Sequence, residues 1–312
     1  MNTQIEKLGF SRSNYKIRYS PSGIHLFNRV SGINILLDEI KPRPSSWAKA
    51  PRQVSIALSN ECDFSCPHCF APKIPASLNI DLLLSWLREL DTNGCLGIGF
   101  GGGEPTLYHH LVDLCSYAAA NTSLAITFTT HGHNLSEKLL ASLKGNVHFI
   151  RVSMDGVGKT YELIRGRQFN VLHSHLKNVK HVVPFGINYL VNKHTLPDLD
   201  KAISLAESIG AAEFLLLPEQ PVMGHGGIDW ESSEELKSWV RQYKGAVPLT
   251  ISDTGADVLP LCNPLPNERG IQAYAHIDAT GSIKRTSYDL NGVKIGPDGV
   301  ISALGKIKTN GG

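Results

Sequence analysis

Cys62-Asp63-Phe64-Ser65-Cys66-Pro67-His68-Cys69 decides how this chain is read. Its three cysteines stand four and then three residues apart, directly after the apolar run Val54 to Leu58. A loop of that length after a strand can curl three thiolates onto one metal centre but offers no fourth. Thiolate ligands select soft or borderline centres, zinc or iron–sulfur clusters. A four-iron cluster held by three cysteines keeps one iron open, and an open metal position is where chemistry happens. A structural zinc site, with His68 or the distant Cys262 as fourth ligand, is the alternative that the spacing leaves standing.

Outward from this loop, apolar strand candidates alternate with helical patterns. The strands are Val54–Leu58, Gly97–Gly101, Leu124–Thr129, His148–Met154, Gly186–Val191 and Phe214–Leu217. Between the first two, Ile80, Leu83, Leu84, Leu87 and Leu90 recur at helical spacing behind Asn79, a cap residue. Leu199, Ala202, Ile203, Ala206 and Ile209 repeat the theme, with Pro197 at a permitted helix start. Six βα units in series predict a parallel sheet, since each crossover returns the chain to the same edge. Gly101-Gly102-Gly103-Glu104-Pro105 ends the second strand. Glycines there let a strand end approach a ligand with no side chain in the way.

The flanks read differently. Tyr15–Tyr19, Ile24–Phe27 and Ile33–Leu37 are short β-like runs, the first two joined by Pro21-Ser22-Gly23. Lys41-Pro42-Arg43-Pro44-Ser45-Ser46 has linker composition. Three units are expected: a β appendage over 1–50, a βα core over 51–227 and a C-terminal region over 228–312. In the last, Trp230–Tyr243 reads as a helix, Leu249–Ser252 as a strand, and Tyr274–Asp278 with Ser282–Thr286 as a hairpin.

Composition narrows the class. The chain has 312 residues, 42% apolar and 19% charged, as in an ordinary folded protein, and a net charge of +2. That charge gives no reason to invoke nucleic acid or an anionic membrane as partner. No segment reaches the roughly 20 apolar residues of a membrane span, and Met1 to Phe10 lacks a signal-peptide core, so a cytoplasmic location is expected. Of six cysteines, Cys95 and Cys115 read as small buried hydrophobes.

The two motifs together, CxxxCxxC on the first strand-loop and GGE after the second strand, resemble the radical S-adenosylmethionine (SAM) superfamily. Ser153-Met154-Asp155-Gly156 with Arg165-Gly166 resembles the SxDG…RG signature of its SPASM-related subgroup. The resemblance implies an α/β fold: a partial (β/α)6 TIM-like barrel with the small N-terminal β appendage and a SPASM-like C-terminal hairpin region. It implies Cys62, Cys66 and Cys69 as ligands of one 4Fe-4S cluster whose fourth iron is chelated by SAM. His68 would then lie close to the adenine, and Gly102, Gly103 and Glu104 beside the methionyl ammonium. Ser153 would lie near the SAM carboxylate or ribose, with Asp155 beside it, and Arg165 would pair with the carboxylate through its planar fork. Thr129-Thr130-His131-Gly132 stands where relatives show TNG, with His131 in place of the asparagine.

The His276–Ile283 hairpin and Lys294-Ile295-Gly296 look like parts of a SPASM domain, whose auxiliary clusters take about seven cysteines. Only Cys262 remains here, and Thr286 or Ser287 lies where a cysteine is expected, so a remnant without auxiliary clusters is predicted. Catalytic residues are not legible in the sequence. His225, in Met223-Gly224-His225-Gly226-Gly227, is the substrate-side candidate because it follows the last barrel strand.

The resemblance implies reductive cleavage of SAM to a 5′-deoxyadenosyl radical that takes hydrogen from a substrate C–H bond, with flavodoxin or ferredoxin as electron donor. A ribosomally made peptide is the first substrate reading, and a small metabolite (a sugar, nucleoside or amino acid) the second. The third reading is a non-enzymatic zinc-binding module.

Overall fold

Pro21 and Ser22 turn the chain between β1 (Lys16–Ser20) and β2 (Gly23–Phe27), and β3 (Asn34–Leu37) completes an antiparallel sheet in the order β1-β2-β3. Gly23 has φ +143°, and a Cβ there would sit 2.4 Å from the Leu37 carbonyl oxygen, so this turn requires glycine. Ile24 and Leu26 form the sheet's own small core. The computed structural model describes residues 15–221, 226–252, 255, 259, 261–263 and 265–309. The substrate-side candidate His225 therefore lies outside the described residues.

The rest builds one sheet of ten strands. β4 (Gln53–Ser59), α1 (Ile80–Thr92), β5 (Gly97–Gly102), α2 (Leu111–Asn121), β6 (Ala125–Thr130), α3 (Glu137–Leu143) and β7 (Phe149–Ser153) follow in chain order. Then come α4 (Lys159–Arg165), α5 (Phe169–Val179), β8 (Phe185–Val191), α6 (Leu199–Ile209), β9 (Glu213–Pro218), α7 (Trp230–Gln242) and β10 (Leu249–Ile251). β11 (Tyr274–Ile277), β12 (Ser282–Lys284), β13 (Val293–Lys294) and α8 (Gly299–Thr309) close the described chain. The order is β10-β9-β8-β7-β6-β5-β4-β11-β12-β13, parallel from β10 through β11.

Strand alternation separates two faces. Val54, Ile56 and Leu58 of β4, Ile150 and Val152 of β7, and Ile187 and Tyr189 of β8 are sealed in the core with the helices. Ser55, Gly99, Thr127, Thr129, Arg151 and Ser153 belong to the other face, which is half-buried and concave as in a partial barrel. Asn79 caps α1, its side chain accepting from the amides of Asp81 and Leu82, and Leu83, Trp86, Leu87 and Leu90 form the buried stripe. Pro197 sits in a 3₁₀ turn, Leu196–Asp198, so α6 begins just after the expected start.

The region from residue 228 onward extends this sheet at both edges. β10 adds to β9, while β11 crosses to the opposite edge and pairs parallel with β4, Ser55 facing His276 in register. Ala275, Ile277, Ile283, Val300 and Leu304 share the main core. Glu89 of α1 accepts from the amides of Val300 and Ile301 at 2.8 and 2.9 Å and so caps the start of α8. The SPASM-like hairpin and α8 thus pack into the same core as the barrel strands.

Candidate functional site

The cysteine loop leaves the C-terminal end of β4, the end where barrel sites form. Its position depends on two glycines, Gly102 at the end of β5 and Gly103 just after it. A Cβ on Gly102 would fall 2.2 Å from the Ser59 carbonyl oxygen, and one on Gly103 1.9 Å from that of Glu61. The Gly103 amide donates to Ser59 O at 2.8 Å and the Glu104 amide to Glu61 O at 2.7 Å. The glycines therefore admit the backbone of the cysteine loop itself, before any ligand.

Each of the three sulfurs receives one N–H. The Phe64 amide points at Cys62 Sγ (3.4 Å), the Arg165 guanidinium at Cys66 Sγ (3.5 Å) and the Lys73 ammonium at Cys69 Sγ (3.3 Å). Burial pushes the thiols of Cys62 and Cys66 up, the Phe64 amide opposing this at Cys62 and the Arg165 charge at Cys66. Donors aimed at thiolate sulfur suit the electron-rich ligands of an iron–sulfur cluster and tune its potential. Among the described residues, no three His, Cys, Asp or Glu side chains are arranged to hold a single metal ion. Three thiols that each face a separate donor suit a cluster, whose ligands bind different irons.

Glu104 is 1% exposed and its carboxylate is consumed from within. Oε1 accepts from the Thr106 amide, the Thr106 hydroxyl and the Thr130 hydroxyl; Oε2 accepts from the His131 amide at 2.9 Å. The expected partner of this carboxylate was the methionyl ammonium; in the structure the carboxylate ties the end of β5 to the end of β6. His131 continues the tie. Its ring stacks on Phe64 with centroids 3.9 Å apart, and Nε2 lies 2.8 Å from Asp63 Oδ1. Arg167 covers the Phe64 ring at 4.9 Å and donates to the Asp63 carbonyl at 2.6 Å. Asp63, Phe64 and Arg167 were missed from the sequence, which carries no spacing signal for a stack formed between three separate loops.

Asp155, Arg165 and His68 converge below Cys66. Arg165 Nη2 lies 2.5 Å and His68 Nε2 3.1 Å from Asp155 Oδ2, and the Leu190 amide donates to Oδ1 at 3.1 Å. Burial would raise the Asp155 carboxyl, but the Arg165 charge and the His68 contact outweigh it and hold the group at about 2. Arg165, expected on the SAM carboxylate, is paired with Asp155 here, and Asp155, expected beside Ser153, is a buried anion. His68, expected near the adenine, turns to that anion. Ser153 ends β7 on the concave face, its hydroxyl without a hydrogen bond among the described residues. Thr286, expected at a lost cysteine position, closes its loop by hydrogen bonds to Asp289 (3.0 and 2.9 Å), while Tyr288 packs on Phe70, the residue after Cys69.

A scan against family profiles matches residues 56–206 to the Radical SAM superfamily. That segment is a radical SAM domain by this match, and the relatives the chain resembles include peptide maturases. The chain is 24% identical over 201 residues to mycofactocin maturase MftC of Mycolicibacterium smegmatis, covering 62% of this chain and 50% of that protein. It is 27% identical over 186 residues to an AdoMet-dependent heme synthase of Methanosarcina barkeri, covering 55% and 53%. The chain thus spans about half the length of these relatives. Streptococcus suis SuiB, solved with its precursor peptide SuiA, shares the fold at TM-score 0.69 and 15% identity over 90% of this chain and 84% of that one.

Proposed function

We propose that this protein is a radical SAM enzyme that modifies a ribosomally made peptide. The observation that carries the cofactor reading is the donor set: three half-buried thiols in one loop, each facing a separate N–H. Cys62, Cys66 and Cys69 would hold one 4Fe-4S cluster, and Ser153 with the backbone of Gly102 and Gly103 would seat SAM against it. When bound, cluster and SAM supply a 5′-deoxyadenosyl radical able to take hydrogen from an unactivated C–H bond. The chain's own part is orientation and exclusion of water. Arg165 and Asp155 neutralise each other beneath the cluster loop, and the Phe64 stack fixes the loop before ligands arrive. A flavodoxin- or ferredoxin-type donor would supply the electron.

The peptide reading is supported by the likeness to MftC and to the SuiB fold. A small-metabolite substrate is the second reading, favoured by the similarity to the heme synthase. The test is anaerobic reconstitution. Wild-type protein is expected to hold about four irons per chain and to release 5′-deoxyadenosine from SAM on reduction, and Cys66→Ala is expected to do neither. Seven or eight irons would refute the single cluster, and stoichiometric zinc without SAM cleavage would refute the enzyme. A mass change in a short peptide encoded beside the gene supports the first substrate reading; one confined to a metabolite supports the second.

A further inference from the structure

One register row of the concave face runs away from the cysteine loop: Ser153 of β7 faces Asn188 of β8, Asn188 faces Leu215 of β9, and Leu215 faces Thr250 of β10. Asn188 is 8% exposed. Its Oδ1 and the Thr250 Oγ1 are sealed from solvent and have no hydrogen-bond partner among the described residues. Leaving such groups unmade costs free energy, so a folded chain that keeps two of them in one row has them waiting for a partner.

Among the described residues, the strand charges nearest this row are paired. Arg151 is paired with Glu213 in the row below, where Gly186 between them leaves room: a Cβ there would meet Glu213 Cγ at 2.6 Å. Lys284 is paired with Asp278 at 2.8 Å on the opposite wall. A charged group entering here would lose its water without gaining a counter-ion.

We propose that Asn188, Leu215 and Thr250 form a docking row for an uncharged amide-bearing segment of the substrate. This deepens the peptide reading and rests on it. A carboxamide both donates and accepts, as a peptide group does, so Asn188 can meet a backbone amide with two hydrogen bonds. Thr250 stands two strands further on, about 10 Å away, a span bridged by about three extended residues. Leu215 supplies the apolar contact between them. Ser153 lies on the side of the cluster loop, so the row extends outward from the SAM position.

The test uses reconstituted full-length protein, with Thr250→Val and Asn188→Leu as near-isosteric apolar variants. The probes are capped tripeptides, N-acetyl-Gly-Xaa-Gly-amide, with Xaa Asn, Tyr, Lys or Glu. Each variant is expected to raise the melting temperature of the ligand-free protein, because an unpartnered buried polar atom is removed. Each is expected to weaken binding of the Asn and Tyr probes to the SAM-loaded protein about 2- to 10-fold and to leave SAM affinity within about twofold. A fall in melting temperature overturns the inference by showing that both groups serve the fold alone. Loss of SAM affinity with unchanged probe binding overturns it by giving the row to the adenosyl group. Lys or Glu probes binding as tightly as Asn overturn the uncharged class. If no probe binds wild type while SAM does, the peptide reading itself fails, and this row with it.

Discussion

At Gly103, a single missing methyl group decides whether the cysteine loop can lie where it does. The 1.9 Å approach to the Glu61 carbonyl is with backbone, which cannot swing aside as a long side chain could. Gly103→Ala is therefore expected to destabilise the protein by about 1–3 kcal/mol, the usual cost of overpacking, and to lower iron incorporation. Urea unfolding of the apoprotein measures the first effect; an unchanged midpoint would show that the loop is free to move. Asp155 illustrates the other residue-level lesson. Its sequence context, ahead of Gly156, fits a turn, but its partners are Arg165 at the end of α4, ten residues on, and His68 in the cysteine loop. Arg165→Ala would strand a buried carboxylate, and such breakage typically costs about 3–5 kcal/mol. The paired variant Asp155→Asn with Arg165→Ala is expected to recover part of that loss, read in the same unfolding assay.

Between elements, the loops after β4 and β6 and the segment after α4 are bolted together at Phe64, on which the His131 ring stacks and which the Arg167 guanidinium covers. His131 also carries the Asp63 contact, so four side chains from three segments share the task. Phe64→Leu keeps apolar bulk but loses the flat ring that both neighbours need. Faster amide exchange confined to about residues 60–70 is the expected outcome, with the sheet unaffected. Uniform exchange across the barrel would contradict a local clamp. The sequence showed that a histidine stood in the TNG position, but not why, because stacking is a property of two loops meeting.

The whole molecule is held at its two ends by different means. α8 is attached through its cap on Glu89 and the shared apolar core, while the N-terminal sheet is attached through a buried polar node. In that node Glu268 meets Arg18 of β1, His25 of β2 and Arg52, with Ser20 close by. Burial would raise the Glu268 carboxyl, but hydrogen bonds from His25 and Ser20 and the charges of Arg18 and Arg52 hold it at about 2. A folded-state value below the ordinary 4.5 stabilises the protein above that pH, and the contribution is lost as pH falls through the folded value. Glu268→Gln is expected to loosen β1–β3 at neutral pH and to flatten the acid limb between about pH 4.5 and 2, followed by hydrogen exchange of β1 and β2. An acid limb as steep as in wild type would place the titration elsewhere.

What the sequence determined by itself was whatever is encoded locally. The strand-loop cysteines, the GGE run, the alternation of apolar strands with helices, the Asn79 cap and the C-terminal hairpin are all short-range patterns, and the six barrel strands appear in the expected order. Buried Cys95 and Cys115 were equally legible from composition and periodicity. Tertiary structure alone decided that β11 would cross to pair with β4, since nothing in Tyr274–Ile277 names a partner some 220 residues earlier. It also decided which partners the site carboxylates take: Glu104 is tied to Thr106, Thr130 and His131, and Asp155 to Arg165 and His68. Asn188 and Thr250, which no motif marked, are among the described residues that keep a buried polar atom unpartnered. The reason is physical: a pattern fixes which side chains are buried, but their hydrogen-bond partners come from segments that only the folded sheet brings within bonding distance.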